Sequence, residues 1–411
     1  MKTAGHSWVK RRHQFFHDLL YYPIKLLFFL LYGFRGEVFP RRRGGQPCLV
    51  LSNHTSPLDC ICLGLSFDFI LYYVASDHIF RLGWPSSLLR FLVEPIPIMK
   101  SRLDLQAIKD MLRIISEGGS VCIFPEGNRN FDGQTGPMSP AIAKLAKQLK
   151  VPLVLYHIIG GYMTTPRWAN GIRRGRMTGK VARVLSVEQM GGMTADELHA
   201  VITAELYEND YDRQRSDPVV FRSKAPAEYL ERALYLCPAC GEAGSLKSRK
   251  DRFFCTCGLE VRMNGFGFFE AVRGSLPFKS VLEWSAWQQE HVGDWLERRL
   301  LNAGPDEPLM HDDCEEFLSA DRARRNERIG TGRLALYTDR LRLAMQDCSL
   351  DFPLSTLQKV VVTAKQTIQF TTDGGDDYIV RSRIPRSPLK YLDIIELLKK
   401  RDREVPNEFL G

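Results

Sequence analysis

Between residues 46 and 190 the chain alternates short apolar runs with stretches of helical periodicity. PCLVLS (47–52) reads as a buried strand, and DLQAIKDMLRIISE (104–117) as an amphipathic helix stopped by Gly118-Gly119. SVCIF (120–124) is the next strand; SPAIAKLAKQLK (139–150) starts on a Ser N-cap with Pro at the first helical position. VPLVLYHI (151–158) returns as a strand. Such alternation predicts an α/β domain over 46–207, a mostly parallel sheet covered by helices, with its chemistry at the carboxyl ends of strands. The charged, Pro-containing stretch 208–232 reads as a linker. Cysteine pairs then mark a small module at 233–270, and 271–329 forms a connector whose residues 280–300 are helical. From 330 to 411 the pattern changes to period two (GRLALYT, LRLAM, TIQFTT, YIVRS) and ends in a helix begun by Ser387-Pro388.

The N-terminal 45 residues have a different pattern. Leu19–Phe34 reads LLYYPIKLLFFLLYGF, sixteen residues interrupted by Pro23 and Lys25 and short of the roughly 20 that cross a bilayer. No small-residue cleavage site follows, as a secretory signal would require. The chain carries a net charge of +8, and residues 1–45 hold nine Lys or Arg against Asp18 and Glu37, which is +7 of that total. Basic residues bracketing an apolar run suit an interfacial helix, with its aromatics and leucines in the acyl boundary and Arg41, Arg42 and Arg43 at anionic headgroups. The competing reading is an amphipathic helix packed on the protein's own core.

Ten cysteines without a signal peptide point to a reducing compartment. Cys48, Cys60, Cys62, Cys122, Cys314 and Cys348 are scattered and read as small buried side chains. The other four, Cys237-Pro-Ala-Cys240-Gly and Cys255-Thr-Cys257-Gly, form two knuckles separated by 14 residues. They fit a structural zinc site of the zinc-ribbon kind, although C-x-C is a tighter bite than the usual C-x-x-C. Free cysteines or a disulfide are the alternatives. Phe253 and Phe254 fill the module's small core on this reading, so no nucleic acid is expected despite Lys247, Arg249, Lys250 and Arg252.

After the first strand comes Asn53-His54-Thr55-Ser56-Pro57-Leu58-Asp59. A His with an acid five positions on, at a strand-to-helix turn, suits a general base with an orienting carboxylate. The same residues are also a passable helix start, with Asp59 standing in for Glu of a capping box. Phe124-Pro125-Glu126-Gly127-Asn128-Arg129-Asn130 directly follows the strand 120–124. There an Arg can fork onto phosphate oxygens and Gly127 permits close backbone approach. Between the two lie Lys100 and Arg102, cations on the loop before the helix 104–117. A further basic stretch, with Arg167, Arg173, Arg174, Arg176 and Lys180, reads as a solvated face, with a face toward the headgroup or the carrier's phosphates as the alternative.

Together these motifs resemble the glycerolipid acyltransferase family, which includes the bacterial 1-acylglycerol-3-phosphate (lysophosphatidate) acyltransferases. The family's N-H-x4-D is Asn53, His54 and Asp59; its F-P-E-G-T-R-S is Phe124 to Asn130, with Asn128 and Asn130 for Thr and Ser; its V-P-(I/L)-V is Val151 to Val154. The Arg that ends the second family motif falls on Lys100, with Arg102 two residues on. The resemblance covers roughly residues 20–190. It implies that His54 and Asp59 are catalytic, and that Asn53, Lys100, Arg102, Glu126, Gly127, Asn128 and Arg129 bind substrate. The donor would be acyl-CoA or acyl-carrier protein and the acceptor a lysophosphatidate-type lipid, giving phosphatidate without a catalytic cofactor. Lys for Arg at position 100 keeps the charge and loses the bidentate fork, which leaves room for another lysophospholipid, glycerol-3-phosphate or a glycolipid as acceptor. An inactive membrane scaffold is the reading from a different class. The C-terminal pattern resembles a pleckstrin- or GRAM-type β-domain. The expected location is the cytoplasmic face of the cell membrane, as a monotopic or peripheral protein.

Overall fold

Three apolar runs lie side by side at the centre of the first sheet, because each is flanked by apolar neighbours on both faces. The computed structural model describes residues 7–39, 45–76, 80, 84–98, 105–304, 306–320 and 326–404. Arg41, Arg42, Arg43, Lys100 and Arg102 lie outside these described residues. The chain divides into two units, Met1–Arg167 with Ile172–Ser223, and Trp168–Gly171 with Lys224–Gly411.

In the first unit the elements run α1 (Arg11–Tyr32), β1 (Arg35–Gly36), β2 (Leu49–Ser52), α2 (Asp59–Gly64), β3 (Leu71–Ser76), α3 (Trp84–Leu92), β4 (Ile96–Ile98), α4 (Leu105–Ser116) and β5 (Ser120–Ile123). They continue with α5 (Ala141–Leu149), β6 (Leu153–Ile159), α6 (Gly161–Thr164), β7 (Thr178–Leu185), α7 (Val187–Gly191), α8 (Ala195–Leu206) and α9 (Asp210–Ser216). The seven strands have the order β1-β7-β6-β2-β5-β3-β4. Five neighbouring pairs are parallel, and β6 with β7 is antiparallel, so the sheet is mixed. Leu49, Val50 and Leu51 of β2 are fully buried between β5 and β6, which explains their unbroken apolar run. On one side of the sheet α4, α5 and α8 bury Met111, Ile114, Ala143, Ala146, Leu198 and Ile202 against Leu49, Leu51, Leu153 and Leu155.

Helix α1 packs on the other side of the sheet. Phe28 and Tyr32 join Val50, Phe67 and Tyr156, while His17 Nε2 and Tyr21 Oη reach the carbonyls of Gly64 and Leu65 at 3.0 Å. It is 22 residues long, six more than the apolar run, and is long and apolar enough to cross a membrane by length and composition. The Pro23 ring interrupts nothing fatal, since the helix continues to a left-handed Gly33 whose N–H caps Phe29 O. One side of α1 packs on the core, as the competing reading expects, and the other side leaves Leu19, Tyr22, Leu26 and Leu30 exposed.

The second unit holds β8 (Leu246–Arg249), β9 (Arg252–Cys255), β10 (Glu260–Met263) and β11 (Phe269–Arg273) as a four-stranded antiparallel sheet. The long helix α10 (Val281–Asn302) follows. Then come β12 (Met310–Ala320), β13 (Asn326–Leu336), β14 (Arg340–Met345), β15 (Ser349–Pro353), β16 (Leu357–Thr363), β17 (Thr367–Thr372), β18 (Asp377–Ser382) and α11 (Leu389–Glu404). These seven strands pair antiparallel in the order β15-β14-β13-β12-β18-β17-β16. Tyr235 and Leu236 before β8, Trp295 of α10 and Ile394 of α11 share one core with Phe317, Leu334 and Phe370 of this sheet.

Several boundaries differ from the sequence reading. The stretch read as a linker carries α9, capped by Asn209 Oδ1 accepting the N–H groups of Tyr211 and Asp212. The segment read as a helical connector contains β12, whose buried Glu315 meets Arg386 at 3.0 and 2.8 Å. That acid, inside a core strand, hid the alternation. Cys314 and Cys348 are exposed, contrary to the buried reading, whereas Cys48, Cys62 and Cys122 are buried.

Candidate active site and cysteine cluster

β2 and its parallel neighbours β5 and β6 all end on the same edge of the sheet, and the segments that follow them meet there. Asn53, one residue beyond β2, accepts the N–H of Ile158 on Oδ1 (2.8 Å) and donates from Nδ2 to Ile158 O (2.7 Å). It is fully buried and extends the β2–β6 pairing by one side-chain step. Expected on the substrate, Asn53 instead fixes where the backbone of His54 emerges.

The His54 ring is held on two sides. Nδ1 lies 2.9 Å from Asp59 Oδ2, and the imidazole stacks on Phe124 with centroids 4.3 Å apart. Asp59 is fully buried, and the same Oδ2 accepts the N–H groups of Thr55 (2.8 Å) and Ser56 (2.9 Å). Asp59 is the first residue of α2 and no capping box forms there; its carboxylate reaches back to the N–H groups of the preceding turn and so fixes that turn and the histidine together. Its carboxylate selects the tautomer with hydrogen on Nδ1, which leaves the basic lone pair on Nε2.

Glu126, two residues beyond Phe124 in the segment after β5, bridges the motifs. Its Oε1 accepts His54 N at 2.6 Å and its Oε2 accepts Gly136 N at 2.9 Å. Burial lifts its carboxyl to about 7, against the opposing pull of those two N–H bonds. Both oxygens thus bind backbone, and in this geometry Glu126 positions His54 where a substrate contact was expected. Gly127 has φ +69° with open space where a Cβ would stand, so the turn's conformation requires glycine and close approach does not. Close approach matters at Gly161 instead, where a Cβ would lie 2.2 Å from Thr55 Oγ1.

Asn128 is exposed at the tip of this turn. Arg129 is half-buried; burial lowers its pKa and Asp59 pulls it back up. Beside it is Arg167, which the sequence places in a basic stretch read first as a solvated face. Arg167 is buried, donates from Nη1 to Arg129 O at 2.6 Å, and lies 4.3 Å over the Phe131 ring. Burial and the Arg129 charge lower its pKa to about 9, so it stays protonated at neutral pH. Arg173 is buried too, which corrects the solvated-face reading for these two arginines. Lone arginines in a polar stretch carry no sequence signal that separates these cases.

In the second unit the four cysteines of the paired knuckles converge. Cys237 Sγ lies 3.8 Å from Cys257 Sγ, Cys240 Sγ lies 3.7 Å from Cys255 Sγ, and all four sulfurs fall within 4.8 Å of one another. Four thiolates at the usual Zn–S length of about 2.3 Å stand about 3.8 Å apart in a tetrahedron, so the donor set could hold a metal ion of that kind. Gly241 and Gly258, with φ +71° and +103°, turn the chain after each knuckle. Ser245 Oγ lies 3.2 Å from Cys255 Sγ.

Residues 34–157, which carry the half-buried His54, the buried Asp59 and the Glu126 that braces the His54 backbone, match the family model described as Acyltransferase. The chain resembles the glycerolipid acyltransferases, bacterial ones among them. Over 132 residues it is 33% identical to a chloroplastic 1-acyl-sn-glycerol-3-phosphate acyltransferase of Brassica napus, covering 31% of this chain and 37% of that protein. The human 1-acyl-sn-glycerol-3-phosphate acyltransferase beta is 30% identical over 178 residues (42% and 62%), and that of Pseudomonas aeruginosa 30% over 131 residues (30% and 49%). The chain therefore spans between about a third and three fifths of the length of these curated relatives.

Proposed function

We propose that this protein transfers an acyl chain from a thioester donor, acyl-CoA or acyl-carrier protein, to the free hydroxyl of 1-acylglycerol-3-phosphate, giving phosphatidate. The observation that carries the reading is the His54 ring anchored through Nδ1 by the buried Asp59, the acid whose charge also acts on Arg129. His54 Nε2 takes the hydroxyl proton as the oxygen attacks the thioester carbonyl. The tetrahedral intermediate collapses with cleavage of the C–S bond, and the imidazolium returns the proton to the leaving thiolate. Asp59 holds the ring and stabilises its cation. Arg129 and Arg167, with Lys100 and Arg102 from outside the described residues, supply the charge for the acceptor's phosphate.

In this reading the cysteine cluster holds a structural zinc ion, the module around it is a zinc ribbon, and the antiparallel sheet with α11 is a pleckstrin-like domain. The open face of α1 rests on an anionic membrane, at the cytoplasmic leaflet where reduced thiols persist. Purified protein offered acyl-CoA with a panel of acceptors should release thiol fastest with lysophosphatidate and yield phosphatidate by mass spectrometry. Faster release with glycerol-3-phosphate or a lysophospholipid lacking a terminal phosphate would reassign the acceptor.

A further inference from the structure

Helix α3 keeps Leu89 and Leu92 half-buried and turns a second set of apolar side chains outward. Trp84, Leu88 and Phe91 follow one another at helical spacing and are 77%, 46% and 46% exposed, while Ser86 on the opposite face is buried. A helix of a soluble protein turns its apolar stripe inward; this one leaves three large apolar side chains open as well. The stripe is also not isolated. Phe91 meets Phe16 of α1 at 5.4 Å between ring centroids, and Arg12 of α1 lies 4.8 Å over the Phe91 ring. On α1, Phe15, Leu19, Tyr22, Leu26 and Leu30 form their own exposed line at the spacing of one helix face. The two lines join at Phe16 and Phe91 into one apolar surface, larger than the scattered exposed residues of an ordinary monomer.

The charges around this surface identify what covers it. Arg12 over Phe91, Arg90 over Phe80, Lys25 over Tyr21 and Arg35 over Phe29 set cations against aromatic rings along its margin. Asp18 is the one acid in the sequences of α1 and α3, and it bonds Gln14 and His17 on the flank of α1. Rings with snorkelling cations are the pattern of a headgroup boundary, where apolar bodies enter the acyl region and cations meet phosphates. A partner protein would more often present acids to be met by a mixed rim.

We propose that α3 is a second membrane-seated element, entering the boundary of an anionic bilayer together with α1. This rests on the reading that α1 docks on a membrane, and it adds that docking is a two-helix contact. Trp84 and Leu88 are then embedded, which fixes the rotation of the catalytic domain about α1 and so the side of the site that faces the lipid.

The test is sedimentation of the full-length protein with vesicles of phosphatidylcholine and phosphatidylglycerol, comparing wild type, Leu88→Asp in α3 and Leu26→Asp in α1. Both positions are exposed, so each variant keeps wild-type circular dichroism. Both should bind vesicles at least tenfold more weakly, and brominated acyl chains should quench the wild-type tryptophan emission more than that of Trp84→Phe. Wild-type binding by Leu88→Asp with loss in Leu26→Asp would overturn the role of α3 and keep that of α1. Unchanged binding by both would remove the membrane reading of α1 itself. A concentration-dependent dimer abolished by Leu88→Asp, with vesicle binding intact, would assign the surface to a second copy and overturn the proposal.

Discussion

Asp59 and Glu126 are both acids at the candidate site, and their surroundings give them different work. Asp59 gathers three N–H donors on one oxygen, whereas Glu126 divides two backbone N–H groups between its oxygens and is lifted by burial to about 7. A carboxyl raised from 4.5 to about 7 holds an extra proton in the folded state between those values. Its contribution to stability is therefore full below pH 4.5 and declines as pH rises to 7. Glu126→Gln cannot ionise, so relative stability should shift in the variant's favour by up to about 3 kcal/mol across that window. Denaturant titrations of both proteins at several pH values check this; parallel stability profiles would contradict it. At this scale His54 and Asp59 were legible because their pairing lies within six residues. The role of Glu126 was hidden, since its partners, His54 N and Gly136 N, are brought to it by the crossing of two strand ends. Asn53 was misread for the same reason: only the fold shows that Ile158 stands opposite it.

Elements were legible where one pattern dominated. β2, β5 and β6 are mainly apolar runs because their neighbours cover both faces, and α4 and α5 keep a clear amphipathic spacing. β7 was missed because it alternates Lys180 and Arg183 with buried Gly179 and Leu185 near the sheet's margin. β12 was missed because Glu315 is paired inside the core. The cysteine knuckles were legible from spacing alone, which also sets the fit of their sulfurs to a tetrahedron. For this element the account predicts one zinc per chain in reduced protein, lost in Cys237→Ser, with a lower melting temperature. Metal-free wild type that melts where the variant does would contradict it. Cys237 is buried and its neighbours Tyr235 and Leu236 bond Gln288 of α10, so loosening the knuckle should be felt in that helix.

At the scale of the whole molecule, the net charge of +8 gathers near the N-terminus, and that is where the structure leaves α1 and α3 with apolar faces open. The sequence showed a basic apolar end and a candidate His–Asp motif about twenty residues later. It did not show the second helix, because a nine-residue amphipathic stretch reads as packed inward unless its surroundings are known. The second unit, read as three separate pieces, shares one core from Tyr235 to Leu398, since residues distant in sequence close it. All of this serves a claim centred on one imidazole. The direct measurement is acyl transfer from acyl-CoA to lysophosphatidate by wild type and His54→Ala, with phosphatidate counted by mass spectrometry and folding checked by circular dichroism. The account predicts turnover in the wild type and a loss of at least a thousandfold in a folded His54→Ala protein. A folded variant that turns over at the wild-type rate would contradict it.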